Sequence, residues 1–238
     1  FEDYTFEICT KVKNAARVSK MMLERQYQRY VANNQNKPAV ASYANSAPAA
    51  TSSTTTSSFN NRHFKTTDKI IALGASTGGT EAIKEVLMRL PASSPGMVIT
   101  QHIPAAFSEP FANRMNTVSE MTVVQAQDGQ QILPGHVYIA PGDKHLLVMR
   151  DGARYVCRLD DGEPVNRHKP AVDVMYRSVA KNVGQNAIAV LLTGMGADGA
   201  LGMKELQEIG VPTIAQDQKT SVVWGCLLYT SPSPRDRY

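Results

Sequence analysis

Hydrophobic and polar positions follow two periodicities between Asp68 and Gly225. Short apolar runs bounded by glycine and proline predict β-strands, and the segments between them carry apolar residues at helical spacing. The strand runs lie at residues 69–73, 97–101, 187–192 and 211–215, and the helical segments at 80–90, 106–116, 171–182 and 200–209. Strands that alternate with helices in this way predict an α/β domain with a mostly parallel sheet and helices on both faces.

The pattern changes over residues 121–160. From His136, the sequence HVYIAPGDKHLLVMRDGARYVCRLDDG alternates short strand-like runs with turn residues. This texture predicts an antiparallel hairpin region, inserted into the sheet or placed at its edge.

The two ends of the chain differ in composition from the domain at 68–225. Residues 1–30 predict an amphipathic helix, which is either solvated or the last helix of an upstream domain. Residues 31–67 are rich in Ser, Thr, Ala, Asn and Pro and predict a disordered linker, because they bury too little surface to offset their ordering entropy; a mucin-like stalk is the alternative. Residues 226–238, CLLYTSPSPRDRY, break the pattern and are predicted to be a non-native tail.

Composition excludes few classes of protein. The net charge of +4 comes without a dense Lys/Arg run, so nucleic acid is not an expected partner. Three widely spaced cysteines, Cys9, Cys157 and Cys226, predict free thiols in a reducing compartment. No apolar stretch is long enough to span a membrane, so membrane insertion is not expected.

The first candidate site follows the apolar run at 69–73. The sequence GASTG at 74–78 matches the G-x-S-x-G nucleophile elbow, in which a strand-to-helix turn exposes a serine. Glycines permit the turn, and the helix that follows places unsatisfied N–H groups and a positive dipole end nearby. Ser76 is therefore a candidate nucleophile, and the Thr77 N–H a candidate oxyanion donor. The alternative is a serine that caps the helix.

The second candidate site is GMGADG at 194–199, which also lies between an apolar run and a helix. It matches the dinucleotide fingerprint G-x-G-x-x-G, with Asp217 as a ribose contact. However, the carboxylate of Asp198 would repel a pyrophosphate in that loop. Asp198 is otherwise a helix cap or the acid of a catalytic triad.

The third candidate is His102, directly after the apolar run at 97–101. Carboxyl ends of parallel strands meet at one sheet edge, where open α/β sheets place their sites. Ser76, His102 and Asp198 then supply a nucleophile, a general base and an orienting carboxylate.

The order of these residues along the chain narrows the class of enzyme. An ordinary α/β-hydrolase has the order serine, acid, histidine. No histidine follows Asp198, so that class would need another acid and histidine, drawn from Asp128, Asp143, His136, His145 and His168. None of these lies at a clear end of a parallel strand, so the order Ser76, His102, Asp198 is favoured.

Other kinds of site have little support in the sequence. The histidines are dispersed, the cysteines lack ligand spacing and no Walker motif occurs, so neither a metal site nor a P-loop nucleotide site is expected. The basic loop NRHKP at 166–170 is either solvated or faces a substrate.

Five segments occur in order along the domain: IALGASTGGTEAI, ITQHIP, LPGHVYIAPGDKH, DGEPVNRHKPAVDVMYRSVA and LLTGMGADGALGM. They cover most of the stretch from Lys69 to Gly225 and resemble the catalytic domain of the chemotaxis protein-glutamate methylesterases, the CheB family. The resemblance implies a doubly wound, mostly parallel sheet. It also implies hydrolysis of glutamyl methyl esters on methyl-accepting chemoreceptors, with deamidation of certain receptor glutamines.

The resemblance also assigns residues. The family's nucleophile, histidine and aspartate fall on Ser76, His102 and Asp198. Thr77 and Met195 lie beside the site, with the Met195 N–H as a second oxyanion donor. No cofactor is implied.

The implied partners are the cytoplasmic helices of methylated chemoreceptors, and an upstream receiver domain with its histidine kinase. Only residues 1–30 resemble the end of that receiver. The family's pattern continues past Gly225, where this chain departs from it, so the domain at 68–225 is expected to be incomplete at its C-terminal side. A dinucleotide-dependent enzyme and a catalytically inactive interaction module remain the alternative functions.

Overall fold

The computed structural model of the chain describes Thr10 and residues 68–229. The predicted helix at 1–30, apart from Thr10, and the predicted linker at 31–67 lie outside the described residues. Within 68–229 the elements are β1 (Ile70–Ala75), α1 (Gly79–Leu87), β2 (Gly96–Gln101), α2 (Ala105–Val118), β3 (Thr122–Gln125), β4 (His136–Ile139), β5 (His145–Asp151), β6 (Arg154–Asp160), α3 (Val172–Asn182), β7 (Ala187–Leu191), α4 (Ala200–Glu208) and β8 (Thr213–Ala215), with short 3-10 helices at Gly184–Asn186 and Cys226–Tyr229.

Six of these strands form one parallel sheet in the order β3–β4–β2–β1–β7–β8. The central strand is β1, in which Ile71 pairs with Met97 of β2 on one side and with Ile188 of β7 on the other. The chain passes from β1 towards one edge of the sheet and later returns to β7 on the opposite side of β1. This reversal is a topological switch point, and in open α/β sheets such a point leaves a crevice at the carboxyl ends of the strands.

Side chains of β1 alternate between the two faces of the sheet, as expected for a strand. Ile71 and Leu73 pack in one hydrophobic cluster with the buried residues of α1 and α2. Ile70 and Ala72 pack in a second cluster with α3, α4 and the β5–β6 hairpin. Helices cover both faces, so the domain is a doubly wound α/β domain, in agreement with the sequence.

The antiparallel region is narrower than the predicted range of 121–160. Among the strands of residues 68–229, β5 and β6 alone pair antiparallel, as a two-stranded sheet from His145 to Asp160, and Gln131 adds a single antiparallel bridge to Val156 of β6. Strands β3 and β4 pair in parallel with each other and extend the main sheet beside β2. The two strands have four residues each. Runs this short give too little alternation to distinguish a parallel edge from a hairpin.

The segment after Gly225 contacts the core as far as it is described. Cys226 and Leu227, at the start of the predicted non-native tail, are buried in the cluster that contains α3 and α4. Burial raises the pKa of the Cys226 thiol to about 11 and that of Cys157 to about 12, so both are protonated at neutral pH. Residues 230–238 lie outside the described residues.

The described residues contain neither a membrane-spanning helix nor a metal-binding cluster. None of their helices has the length and apolar character that crossing a bilayer requires. Their His, Cys, Asp and Glu side chains form no group of three or more that could hold a metal ion.

Candidate active site

Ser76 lies in the turn between β1 and α1. The two glycines of the GASTG motif have different structural roles. Gly78 is the N-cap of α1 and has φ 81°, a left-handed conformation that favours glycine. Gly74 is inside β1 instead, where an added Cβ would collide with Val172 of α3. The motif therefore combines a turn with a close helix–strand contact.

His102 links Ser76 to Asp198. It directly follows β2, and its Nδ1 lies 2.9 Å from Ser76 Oγ while its Nε2 lies 2.8 Å from Asp198 Oδ2. A ring that donates its Nε2–H to the carboxylate keeps the Nδ1 lone pair free to accept the serine hydroxyl. The three residues predicted from strand ends thus form one hydrogen-bonded chain, with the ring reversed relative to the chymotrypsin template.

Asp198 caps a different helix from the one that follows it. Its carboxylate accepts hydrogen bonds from the backbone N–H groups of Val172 (2.7 Å) and Asp173 (3.2 Å), in the first turn of α3. Burial alone would raise the pKa of this carboxyl. Hydrogen bonds from His102, Asn166 and the first turn of α3 outweigh burial and hold the pKa below its usual value. Asp198 is therefore ionised at neutral pH and oriented towards His102.

A second buried carboxylate, Asp173, caps α4 in return. It is 3% exposed and accepts the backbone N–H groups of Gly199 (3.1 Å) and Gly202 (2.8 Å). Burial raises the pKa of Asp173, and the hydrogen bonds from Gly202 and Asn166 oppose that effect. Sequence analysis missed Asp173. The available signal was its position, because Asp173 is the single acidic residue of the helix at 171–182 and lies in the first turn.

Two other buried polar residues hold the turns that carry Ser76 and His102. Gln101 donates from Nε2 to the backbone carbonyls of Ser76 and His102, at 3.0 Å each. Thr193, after β7, donates from its hydroxyl to the Thr77 carbonyl, and the Thr193 backbone carbonyl accepts the Ser76 N–H. Both residues were missed as site residues, although each is a polar residue at the end of an apolar strand.

The two predicted oxyanion donors lie on exposed turns at the same sheet edge. Thr77 follows Ser76, and Met195 follows β7 with 68% of its surface exposed. Within residues 68–229, neither backbone N–H donates a hydrogen bond. Both are therefore available to a bound ligand.

His168, from the basic loop at 166–170, stacks on the active-site histidine. The ring centroids of His168 and His102 are 3.7 Å apart and the planes differ by 10°. Burial, followed by proximity to His102, lowers the pKa of His168. A neutral ring thus covers one face of His102.

The geometry does not favour a dinucleotide site at 194–199. Asp173 occupies the N–H groups at the start of α4 that would bind a pyrophosphate. Gly194 donates its N–H to the Val223 carbonyl. Asp217, the expected ribose contact, accepts hydrogen bonds from Thr220 within its own turn.

The other acid and histidine candidates lie in structural positions. His145 is 1% exposed and is held between the Glu163 carbonyl and the Ala171 N–H. His136 begins β4, at the opposite end of the sheet from Ser76. Asp128 pairs with Arg158 on the hairpin, and Asp143 lies in the turn between β4 and β5. Only His168 among these candidates joins the Ser76 site.

Fold and site together define an α/β domain with the residue arrangement of a serine hydrolase. Residues 71–227 match the family model described as CheB methylesterase. The chain belongs to the CheB methylesterase family.

Individual relatives agree with this assignment. A relative from Hydrogenovibrio crunogenus, named protein-glutamate methylesterase/protein-glutamine glutaminase, is 66% identical over 231 residues, which are 94% of this chain and 61% of the relative. A relative from Xanthomonas euvesicatoria with the same name, numbered 1, is 51% identical over 224 residues, 94% of this chain and 58% of the relative. The chain thus spans about three fifths of these curated relatives.

A solved structure matches the domain. The crystal structure of the Thermotoga maritima CheB methylesterase catalytic domain has a TM-score of 0.67 and 38% sequence identity to this chain. The match covers 68% of this chain and 87% of that one. The likeness supports the family assignment at the level of the fold as well as the sequence.

Proposed function

We propose that this domain hydrolyses methyl esters of glutamyl side chains on methyl-accepting chemoreceptors, and deamidates receptor glutamines at the same site. The observation that carries the proposal is the continuous hydrogen-bonded chain from Ser76 Oγ through His102 to Asp198 Oδ2. The names of the curated relatives supply the chemical class of the substrate.

In the first step, Ser76 Oγ attacks the ester carbonyl while His102 Nδ1 takes the hydroxyl proton. Asp198 accepts the Nε2–H and stabilises the imidazolium that forms. The N–H groups of Thr77 and Met195 stabilise the tetrahedral oxyanion. One such donor is worth roughly 10²–10³ in rate.

Collapse of the tetrahedral intermediate expels methoxide, which leaves as methanol with the proton from His102. Water then attacks the acyl-enzyme while His102 takes a proton from it. The bond between the acyl carbon and Ser76 Oγ breaks, His102 returns the proton to Ser76 Oγ, and the glutamate side chain is released. With a glutamine substrate the leaving group is ammonia, and the second half of the reaction is the same. No cofactor takes part in either reaction.

The exposed rim of the site suits a substrate presented on another protein. Thr77 and Met195 lie on exposed turns, so an ester on the surface of a receptor helix can reach Ser76 without entering a deep cavity. The proposed partners are therefore the cytoplasmic helices of methylated chemoreceptors.

Regulation by a phosphorylated receiver domain and its histidine kinase is also proposed, from the family. Titrating a phosphorylated receiver domain of a relative into the methanol assay tests it. An unchanged rate over the whole titration would contradict it.

The activity is tested by methanol release from a methylated receptor fragment, with Ser76→Ala against the parent chain. Ser93→Ala is the matched control, because Ser93 is exposed in the loop before β2, at the amino end of the strands. We expect release by the parent and by Ser93→Ala, and a loss of about 10⁴-fold or more in Ser76→Ala. Ammonia release from a receptor fragment with glutamine tests the deamidation.

Circular dichroism on all three proteins separates loss of chemistry from loss of fold. Methanol release by Ser76→Ala at the parent rate would contradict the proposal. A folded parent that hydrolyses no methyl ester would instead favour the inactive interaction module.

A further inference from the structure

The loop before α3 forms a tight turn at Asn166 and Arg167. Val165 and His168 exchange two backbone hydrogen bonds across it, of 3.1 and 2.9 Å. Asn166 has φ 53° and Arg167 has φ 67°, and they are the two non-glycine residues with positive φ among the described residues. Positive φ at both central positions is the pattern of a type I′ turn, in which asparagine is well tolerated. The turn therefore fixes the direction of the Asn166 side chain.

The Asn166 amide is shared between two buried carboxylates. Its Nδ2 lies 2.8 Å from Asp173 Oδ2 and 2.8 Å from Asp198 Oδ1. An NH₂ group has two hydrogens, so one goes to each carboxylate and its donor capacity is fully used. Asp173 and Asp198 are 3% and 4% exposed, whereas Asn166 belongs to the exposed turn, so the amide reaches from the surface to two buried carboxylates.

Asp173 is the fixed end of this arrangement. Its other oxygen is held by the N–H groups of Gly199 and Gly202. The approach of α3 to α4 is close here, because an added Cβ on Gly202 would lie 2.7 Å from Tyr176 Cβ and 3.1 Å from Asp173 Oδ1. A rigid helix pair therefore anchors Asp173, and Asn166 connects that anchor to Asp198.

Asp198 depends on this connection for its orientation. Oδ1 accepts from Asn166 at 2.8 Å and, at a longer 3.2 Å, from the Asp173 N–H. Oδ2 accepts from His102 and from the Val172 N–H. Without the Asn166 amide, the Asp173 N–H is the remaining donor to Oδ1, and no side-chain amide separates the two carboxylates.

We propose that Asn166 is a positioning residue for the reaction, whose amide ties Asp198 to the anchored Asp173 and so directs Asp198 Oδ2 at His102. The inference rests on the proposed function of the site. Loss of one charge-assisted hydrogen bond of this kind predicts a fall in kcat of roughly tenfold to a hundredfold. KM is expected to stay within about twofold, because Asn166 acts through Asp198 and not on the ester.

Asn166→Gly tests the inference, since glycine accepts positive φ and removes only the amide. Arg167→Gly is the matched control in the same turn, where glycine relieves a left-handed conformation and leaves both carboxylate contacts in place. We expect parent-like kcat in Arg167→Gly and the stated fall in Asn166→Gly, with a lower urea midpoint in Asn166→Gly because two buried carboxylates lose a donor. Circular dichroism checks that both variants are folded under the assay conditions.

A second measurement does not depend on activity. The His102 Nε2–H that bonds to Asp198 gives a low-field proton resonance, identified by its loss in His102→Gln. It is expected to move upfield or broaden by exchange in Asn166→Gly and to stay unchanged in Arg167→Gly. A parent-like resonance in Asn166→Gly would show that the contact between His102 and Asp198 does not depend on the amide, and this result overturns the inference. It does so whether kcat is unchanged or falls together with the urea midpoint. If the parent hydrolyses no ester, the proposed function fails, and the resonance alone decides the role of Asn166.

Discussion

The helices at the carboxyl edge of the sheet begin in two contrasting ways. The turn into α1 passes through Gly78, which has no side chain to cap the helix, and the Thr77 N–H beside it donates no hydrogen bond within residues 68–229. The first turns of α3 and α4 are closed instead. Asp198 occupies the N–H groups of α3, and Asp173 occupies those of α4.

This difference separates two uses of the same local chemistry. Unsatisfied N–H groups at a helix start attract negative charge. At the start of α1 the Gly79 N–H donates to the Ser76 carbonyl and the Thr77 N–H is left open, and in the proposed reaction the Thr77 N–H meets the charge that develops on the substrate. At α3 and α4 the N–H groups hold permanent protein charges in place, and one of those charges faces His102. We call the Thr77 N–H before α1 the open side of this edge, and Asp198 and Asp173 with the first turns of α3 and α4 the closed side. The closed side orients His102, which contacts Ser76 beside the open side.

Asp198→Asn gives the largest expected effect, because it disrupts the closed side. An asparagine has one acceptor oxygen, so its NH₂ group must face either His102 Nε2–H with the Val172 N–H, or the Asn166 amide with the Asp173 N–H. In either orientation His102 loses the negative charge that fixes its tautomer and stabilises its cation, and we expect kcat for methanol release to fall by about 10⁴-fold. The measurement is the rate of methanol release at saturating ester.

Asp217→Asn is the control for this variant. Asp217 is an exposed carboxylate that accepts hydrogen bonds only within its own turn, from Thr220. Its rate is expected to stay within about threefold of the parent, in the range of ordinary surface substitutions. Equal losses in both variants would show that the loop carboxylates act on folding and not on His102.

Gly78→Ala tests the open side and has a smaller expected effect. Alanine at φ 81° is strained, and its Cβ would lie 2.7 Å from that of Val222. We expect a loss of about 1–2 kcal/mol in the free energy of unfolding, from the left-handed conformation. We also expect a fall of at least tenfold in kcat, because the Thr77 N–H moves with the turn.

Gly152→Ala is the matched control for strain. Gly152 has φ 60° in the β5–β6 hairpin, and an added Cβ there meets nothing within 4 Å. Gly152→Ala should lose about 1–2 kcal/mol in urea unfolding from the left-handed conformation alone, no more than Gly78→Ala, and should show no change in kcat. If Gly78→Ala also keeps the parent rate, the turn into α1 does not position an oxyanion donor.

Much of this arrangement could be predicted from the order of residues along the chain. Ser76 and His102 directly follow strands, and parallel strands bring their carboxyl ends to one edge. Asp198 is further along its loop, but the apolar run before it was clear. Two residues adjacent to strand ends, and a third in the loop after another strand, were therefore enough to predict that three distant residues meet at one edge of the sheet.

The rest depends on packing that a single sequence does not encode locally. Asn166 lies 32 residues before Asp198, and it contacts Asp198 because α3 and α4 approach each other at Gly202. The same approach lets Asp198 cap α3, whereas its position before α4 suggested a cap for that helix. The stacking of His168 on His102 has no sequence signal either, because no periodicity relates the two loops.

The pH dependence of stability gives the smallest expected effect and tests the closed side alone. Ionised Asp198, whose pKa is lowered in the folded protein, stabilises the fold at pH values above the pKa of the unfolded carboxyl, about 3.9. This contribution is lost as the pH falls through the folded pKa.

The experiment compares His102→Gln with the double variant His102→Gln/Asp198→Asn. Both proteins lack the imidazole that would titrate beside residue 198, and both keep an amide donor at position 102. Asp173 and His168 titrate in both proteins and largely cancel. We expect the urea unfolding free energies to differ by about 1–2 kcal/mol at pH 6, the size of a helix cap, and to converge below pH 4. A difference that stays constant down to pH 3 would mean that the charge of Asp198 does not hold the start of α3, and that only its shape does.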